Sequence, residues 1–290
     1  PAPALVSMAR TALAPLREAL GLIPEKPRDA GDVLRPILLK TYGFALISVG
    51  DLAGAGAALD EALDLLPRGS SQVSQRAELV LKKAQLAFVG GNLGLADPLQ
   101  REGLSLAEEA QDASLKIQAE NLGGLFALNI GRFGEARLRF EQALKSAKAH
   151  ALRAEEPSLL ANLALAARAE GKAGEARGLV EQALLLDQDL GSQGGQADDL
   201  RKLGLLALEA ADSKAARKYF QEGFVRAKSA GDRRLQIRCR LGEAECDERE
   251  GRWASSSKLY ERTAHEAKEA GFSEEIWRSI YGRGRAMGGM

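Results

Sequence analysis

The sequence predicts an all-α protein, an α-α superhelix forming a right-handed solenoid of about fourteen antiparallel helices. Three observations carry that prediction. First, apolar residues recur at helical spacing on either side of short breaks. Between Ala113 and Ala151, Ile117, Leu122, Leu125, Phe126 and Leu128 precede Gly131-Arg132, and Phe133, Ala136, Phe140, Ala143 and Leu144 follow it, the pattern of a helical hairpin. Second, the breaks recur at Gly50-Asp51, Gly91-Asn92, Gly131-Arg132, Gly171-Lys172, Ala211-Asp212 and Gly251-Arg252, the first step being 41 residues and the next four 40. A fixed period of this length is the mark of a repeat architecture. Third, small residues keep the same register. Gly43, Ala84, Gly124, Ala164, Gly204 and Ala244 lie seven residues before the breaks, and Ala55, Ala96, Ala136, Ala176, Ala216 and Ser256 lie five after. Paired helices need such residues where their axes approach.

The elements follow in order. The segment 3–24 reads as the second helix of a repeat. Its Ala19, Leu20, Leu22, Ile23 and Pro24 match Ala62, Leu63, Leu65, Leu66 and Pro67. Pro15 is a cost within it. The loop Pro24–Gly31 ends it, and Asp32 is the expected cap of the next helix. Six full repeats follow at 33–68, 73–111, 113–153, 156–191, 196–231 and 233–271. Their first helices are expected over 33–49, 73–89, 113–130, 156–170, 196–210 and 233–250. Their second helices are expected over 52–66, 93–111, 133–153, 173–190, 213–230 and 253–270. Gly191, Gly231 and Gly271 are the expected C-terminal stops. Ser273 is the expected cap of a terminal half-repeat, 273–286, with Gly284 standing 40 residues after Ala244. A third column, nine residues after each break, is Leu59, Gln100, Phe140, Val180, Phe220 and Tyr260. It fills space between hairpins, with Gln100 as the exception. The whole chain, 1–290, reads as a single solenoid domain. The half-repeats at its two ends read as caps or as the cut edges of a longer array. The segment 273–286 shows no obvious polar cap face, and a start at Pro1-Ala2-Pro3 without Met reads as a trimmed fragment.

Composition narrows the function. Forty Lys and Arg balance forty Asp and Glu, so the basic footprint of a nucleic-acid binder is missing. No apolar run approaches the roughly 18 residues of a membrane span, so no membrane insertion is expected. Cys239 and Cys246 lie seven residues apart on one expected helix, about 10.5 Å of rise, too far for a disulfide, which favours the cytoplasm. As packing residues they need no further ligands, and no metal or cofactor site is expected. His150 and His265 fall in second helices of repeats three apart and read as solvated residues. Gly54-Ala55-Gly56 and Gly282-Arg283-Gly284 lack the strand–loop–helix context of a phosphate cradle. The acidic run Glu243, Glu245, Asp247, Glu248 and Glu250, interleaved with arginines, reads first as a salt-bridged helix. No catalytic constellation emerges, and the chain is not expected to be an enzyme.

These columns resemble the tetratricopeptide repeat, in which a small residue in the first helix and a Gly-Asp-like turn precede an alanine, a large apolar residue and another small residue. Here they are Gly124, Gly131-Arg132, Ala136, Phe140 and Ala143. The usual period is about 34. The 40-residue version is similar to the repeats of the spindle adaptor Pins and to arrays of bacterial regulators, signalling kinases and CHAT-domain proteases, a flavour carried by Ala227–Arg262. Ala211, Ser256, Gly103 and Gly223 depart from the pattern as packing variants. The resemblance implies a scaffold that takes a partner peptide or helix on the face of its first helices. Carried over by position, that face holds Lys40, Phe44, Ile47, Gln85, Phe88, Asn121, Leu125, Leu128, Leu165, Arg168, Arg201, Leu205, Leu208, Glu245 and Glu248. It is an apolar strip dotted with basic residues that turns acidic at its end. The same strip read as core is the competing expectation. A carboxylate clamp needs Lys and Asn four apart, but Phe44 follows Lys40 and Leu205 follows Arg201, so a chaperone C-terminus does not fit. The alternative function is a peptide- or ligand-sensing array that regulates an effector domain in the same full-length chain.

Overall fold

The computed structural model describes residues 3–25, 34–66 and 72–289. Their fourteen helices are α1 (Pro3–Leu22), α2 (Leu34–Val49), α3 (Leu52–Leu65), α4 (Val73–Val89), α5 (Leu93–Glu109), α6 (Ala113–Asn129), α7 (Phe133–Ala149), α8 (Glu156–Ala169), α9 (Ala173–Asp189), α10 (Gln193–Glu209), α11 (Ser213–Ser229), α12 (Arg233–Arg249), α13 (Trp253–Ala270) and α14 (Ser273–Gly288). No strand occurs among the described residues. The expected cap Asp32 and the expected stop Pro67 lie outside them. The chain forms two compact units, Leu5–Glu170 and Gly171–Met290 with Pro1–Ala4. Each is a stack of antiparallel helices, and the class is the all-α helical-repeat solenoid.

The turns explain the register. Gly50, Gly91, Gly131, Gly171 and Gly251 have φ between 73° and 89°, and Gly191, Gly231 and Gly271 lie between 68° and 73°. In one turn after another the next amide reaches back five residues: Asn92 N to the Ala87 carbonyl at 2.8 Å, Arg132 N to Ala127 at 2.8 Å, Asp232 N to Ala227 at 2.9 Å. This closure needs a left-handed residue after the helix. Ala211 (φ 60°), Gln111 (φ 52°) and Ala151 (φ 54°) hold the same conformation without being glycine, at a cost of about 1 kcal/mol each. Side chains then start the next helices. The Asp51, Asn92, Asp112, Asp212 and Asp232 carboxylates or amide accept the amide three residues on at 2.9–3.2 Å.

Three expected boundaries shift. The helix expected over 133–153 ends at Ala149, because Ala151 turns left-handed and Leu152 N closes on the Ala147 carbonyl at 2.9 Å. The helix expected from 196 starts at Gln193, because Ser192 Oγ accepts Gly195 N at 3.2 Å. A Cβ on Gly195 would collide with the Asp187 carboxylate, so glycine there marks close approach rather than a break. Ser273 is the first helical residue rather than the cap, and Phe272 holds the cap position.

The small and bulky columns meet. Phe220 is fully buried. A Cβ on Gly204 of α10 would stand 2.6 Å from its ring, and one on Gly242 of α12 would overlap it. Phe220 is thus seated between its own first helix and the following one. Phe140 meets Gly124 and Tyr260 meets Gly282, each at 2.5 Å from the Cβ position, and Leu59 meets Gly43 at 3.1 Å. Glycine and alanine alternate along the small column, Gly43, Ala84, Gly124, Ala164, Gly204, Ala244. The largest side chains before the final repeat, Phe140 and Phe220, fall in glycine repeats. The exceptions are satisfied by hydrogen bonds. Buried Gln100 donates to the Ala119 carbonyl at 2.8 Å, and Ser256 Oγ donates to the Ala244 carbonyl at 2.9 Å.

A further device appears twice. Arg35 donates to the Leu20 and Ile23 carbonyls at 3.0 and 3.2 Å, tying down the end of α1. Arg76 donates to Leu63 and Leu66 at 3.3 and 3.4 Å, doing the same for α3. The repetition identifies α1 as a second helix, as its sequence predicts.

Gly204→Ala is expected to destabilise the chain by about 1–3 kcal/mol, because overpacking against Phe220 outweighs the gain in helix propensity. Ala211→Gly is expected to stabilise it by a few tenths to about 1 kcal/mol by relieving the left-handed alanine. Urea unfolding of both variants reads the two signs.

Candidate functional site

The first helices bury most of their circumference and leave one half-open stripe. On α6 that stripe is Ser114, Gln118, Asn121, Leu125 and Leu128, at spacings of three and four. On α8 it continues through Asn162, Leu165 and the exposed Arg168. Asn162 Nδ2 donates to Asn121 Oδ1 at 2.7 Å, which holds the two stripes side by side. On α2 and α4, Lys40 Nζ lies 2.8 Å from Glu78 Oε2. Lys82 Nζ stands 5.4 Å above the Phe44 ring, and Gln85 is exposed. Phe44 and Ile47 pack against the core of this unit from a half-buried position. Phe88 packs on Phe126 with ring centroids 4.7 Å apart. In the unit 5–170 the expected residues therefore do share the first-helix side, but several are already engaged.

The unit 171–290 differs. Leu208 is 2% exposed and belongs to the core, because α11 covers that side of α10; it does not line an open face. Leu205 is half-buried against the same cluster. Arg201 lies 2.7 and 3.0 Å from Asp198 Oδ1. Glu248 accepts the Tyr260 hydroxyl at 3.0 Å and lies 3.0 Å from Arg285, while Glu245 pairs with Arg249 at 3.7 Å. The acidic run expected on α12 is thus a network between helices. Buried Asp247 takes Arg217, Arg252 and Ser255 at 2.6–2.8 Å. Burial alone would raise its pKa, but the Ser255 and arginine bonds outweigh burial and hold it below the usual carboxylate range. Glu275 of α14 is fully buried, with Arg234 and Arg238 of α12 both at 2.7 Å from its Oε1.

One cluster was not legible beforehand. Asp187 at the end of α9 and Asp199 on α10 are both buried, and burial raises the pKa of each. Lys202 Nζ lies 3.1 Å from Asp199 Oδ1, and Gln196 Nε2 donates to the Asp187 carbonyl at 3.1 Å. Burial drives the Asp199 carboxyl up to about 7 against the pull of Lys202, and burial also raises Asp187. Neighbouring Asp198 would be raised by burial too, but Lys202 and Arg201 bring it to about 2. Burial pushes both the Cys239 and Cys246 thiols up to about 12, so neither is a nucleophile at neutral pH. His150 and His265 are exposed, as expected. Among the described residues no group of three or more His, Cys, Asp or Glu is placed to hold a metal ion, and no helix is long and apolar enough to cross a membrane.

The clefts lie elsewhere. One of about 710 Å³ opens between the end of α5, the start of α6 and the end of α7, lined by Gln111, Lys116, Glu120, Lys145 and His150 among others. A second, of about 600 Å³, has Phe126 in its floor and Asp97, Arg101, Arg132, Glu135 and Arg139 around it. A third, of about 550 Å³, lies among Gln188, Leu200, Tyr219 and Arg226. Second-helix residues supply much of their lining, so a search for a first-helix groove passes over them.

No protein-family model matches the sequence, and no curated protein matches it significantly. The fold has solved counterparts. The Rap conjugation gene regulator of plasmid pLS20, solved with the Phr* peptide, is similar at 14% identity and a TM-score of 0.64, over 88% of this chain and 76% of that one. Aspartyl phosphate phosphatase F from Bacillus subtilis is similar at 12% identity and a TM-score of 0.61, over 89% and 72%. The type IV pilus biogenesis factor PilW is similar at 17% identity and a TM-score of 0.58, over 84% and 98%. The likeness is one of fold, a tetratricopeptide-type helical repeat.

The buried Asp199 carboxyl sets a pH dependence. The Asp199 pKa is raised from 3.8 to about 7 in the folded chain. Its stabilising contribution is therefore complete below about 4 and is lost as pH rises through about 7. Urea unfolding is expected to show less stability at pH 8 than at pH 5 from Asp199, by up to about 3 kcal/mol. Asp199→Asn is expected to flatten that difference.

Proposed function

We propose that the chain is a non-catalytic protein-interaction scaffold that binds a partner peptide or helix on the first-helix face of residues 34–170. The observation that carries this is the half-open apolar stripe Leu125, Leu128 and Leu165. It is held in register by the Asn121–Asn162 bond and flanked by Gln85 and Arg168. Apolar anchors at helical spacing beside fixed polar groups suit an amphipathic helix or an extended apolar peptide. The non-catalytic reading is supported by how the titratable groups are spent. Glu275, Asp247 and Glu248 tie helices together, and the thiols are driven up by burial. We place the chain among the 40-residue-period arrays by the register of its turns, and in the cytoplasm by its two free thiols. Its zero net charge speaks against nucleic acid as the partner.

The second reading is a peptide-sensing regulator acting on an effector domain of the same full-length chain. The structural likeness to a Rap regulator solved with a peptide favours it. It shares the binding event and adds a conformational response.

The test is selection from a phage-displayed random peptide library. Peptides enriched on the native chain are expected to lose at least about tenfold in affinity, about 1.4 kcal/mol, on Leu125→Glu/Leu165→Glu, with helicity unchanged. Equal enrichment on both proteins would remove this face as the site. Compaction of the chain on binding a selected peptide would favour the sensor.

A further inference from the structure

The repeat is its own control, and one junction departs from it at four places. Gln100 stands where Phe140, Val180 and Phe220 stand 40, 80 and 120 residues later. Gly123 stands in the column of Leu163, Leu203 and Glu243. Asp97 takes the place of Arg137, Arg177 and Arg217, and Ile130 that of Glu170, Ala210 and Glu250. In two later repeats that arginine and glutamate meet: Arg137 lies 2.8 Å from Glu170, and Arg217 lies 3.3 Å from Glu250. Asp97 and Ile130 cannot form such a clamp. All four departures line one cleft, that of about 600 Å³ between α5, α6 and α7.

Together they build a polar floor. Gly124 makes room for the Phe140 ring, but its neighbour Gly123 seats no ring. A Cβ on Gly123 would instead stand 2.8 Å from Arg139 Nη1 and 3.0 Å from Gln100 Nε2. Two N–H donors therefore converge over bare backbone. Gln100 Nε2 gives one hydrogen to the Ala119 carbonyl at 2.8 Å, and Arg139 Nη1 gives one to Glu120 at 3.1 Å. Each nitrogen carries a second. Glycine weakens a helix interior, and one without a packing partner marks a close approach to its backbone. Paired donors of this kind suit a carboxylate.

The charges narrow the occupant further. Arg101, Arg132 and Arg139 are matched by Asp97, Glu135 and Glu120, so an occupant that keeps the balance has no net charge. A carboxylate stands one turn from each floor donor: Asp97 three residues before Gln100 on α5, Glu135 four before Arg139 on α7. Such neighbours are about 5–6 Å apart at Cβ, a spacing that suits a carboxylate and an ammonium borne on one carbon. Phe126 and the exposed Ile130 add apolar surface on the α6 side.

We propose that this cleft binds a free α-amino acid with an apolar side chain. Its carboxylate takes the second hydrogens of Arg139 Nη1 and Gln100 Nε2. Its ammonium faces Asp97 and Glu135, and its side chain lies on Phe126 and Ile130. The site draws on second helices and is independent of the peptide face proposed above.

The test is saturation-transfer NMR titration of the 290-residue chain with L-leucine, L-methionine and L-phenylalanine. At least one is expected to bind with a Kd below about 1 mM. Its amide, which lacks the carboxylate, and its N-acetyl form, which lacks the ammonium, are each expected to bind at least about tenfold more weakly. Gln100→Leu and Gly123→Leu install residues that Leu59 and Leu163 already supply in the same columns. Only the mobile ends of Arg139 and Gln100 crowd the Gly123 position, so both variants are expected to keep native helicity. Each is expected to lose at least about tenfold in affinity. Absence of binding by all three amino acids at about 10 mM would overturn the proposal. So would equal binding of the N-acetyl form or the amide, or unchanged affinity in either variant.

Discussion

The structure depends on how closely a second-helix side chain can approach a first-helix backbone. Phe220 has glycine on both sides, and a methyl group at either position would have to displace a buried ring. Close packing of this kind tolerates little change in volume. It fixes how far apart successive helices stand, and the period follows: helices of mostly seventeen residues joined by turns that each need one left-handed residue. The apolar core is then distributed as a series of small clusters, each belonging to a few adjacent helices.

Polar contacts do a different job in each unit. In residues 5–170 the pairs Lys40–Glu78 and Asn121–Asn162 link one first helix to the next and leave leucines between them. In residues 171–290 charged groups are drawn inward. Glu275 sits under two arginines, Asp247 under two more, and Asp187 and Asp199 are both buried. Removing one member of such a buried set leaves an uncompensated charge, so the groups in these sets hold the helices of this unit together. That contrast is why the binding face is assigned to the first of the two units.

The helices were legible because three independent signals share one period: apolar spacing, turn residue and small residue. Boundaries failed where a turn lacked its usual residue. Ala151 and Gln111 adopt a glycine's conformation with no glycine to announce it, and Gly195 lies inside a helix where a Cβ would meet the Asp187 carboxylate. The candidate face was only half legible. Position in the repeat puts Leu125, Leu165 and Asn121 on one side, but it does not reveal that Leu208 is covered or that Glu248 is held by Tyr260 and Arg285. The Asp187–Asp199 pair was invisible for a related reason. Burial of a carboxylate is a property of tertiary packing, and in sequence an aspartate at a helix end looks solvated.

The alternation of glycine and alanine at the first-helix seats bears on how such a chain can change length. Excising one 40-residue repeat, for instance 91–130, would keep a left-handed glycine at the join but set Ala84 against the ring of Phe140, where Gly124 now makes room. Excising two, 91–170, would set Ala84 in register with Val180, as Ala164 is now. Changes in length by two repeats therefore keep the glycine and alanine seats in phase, which changes by one repeat do not.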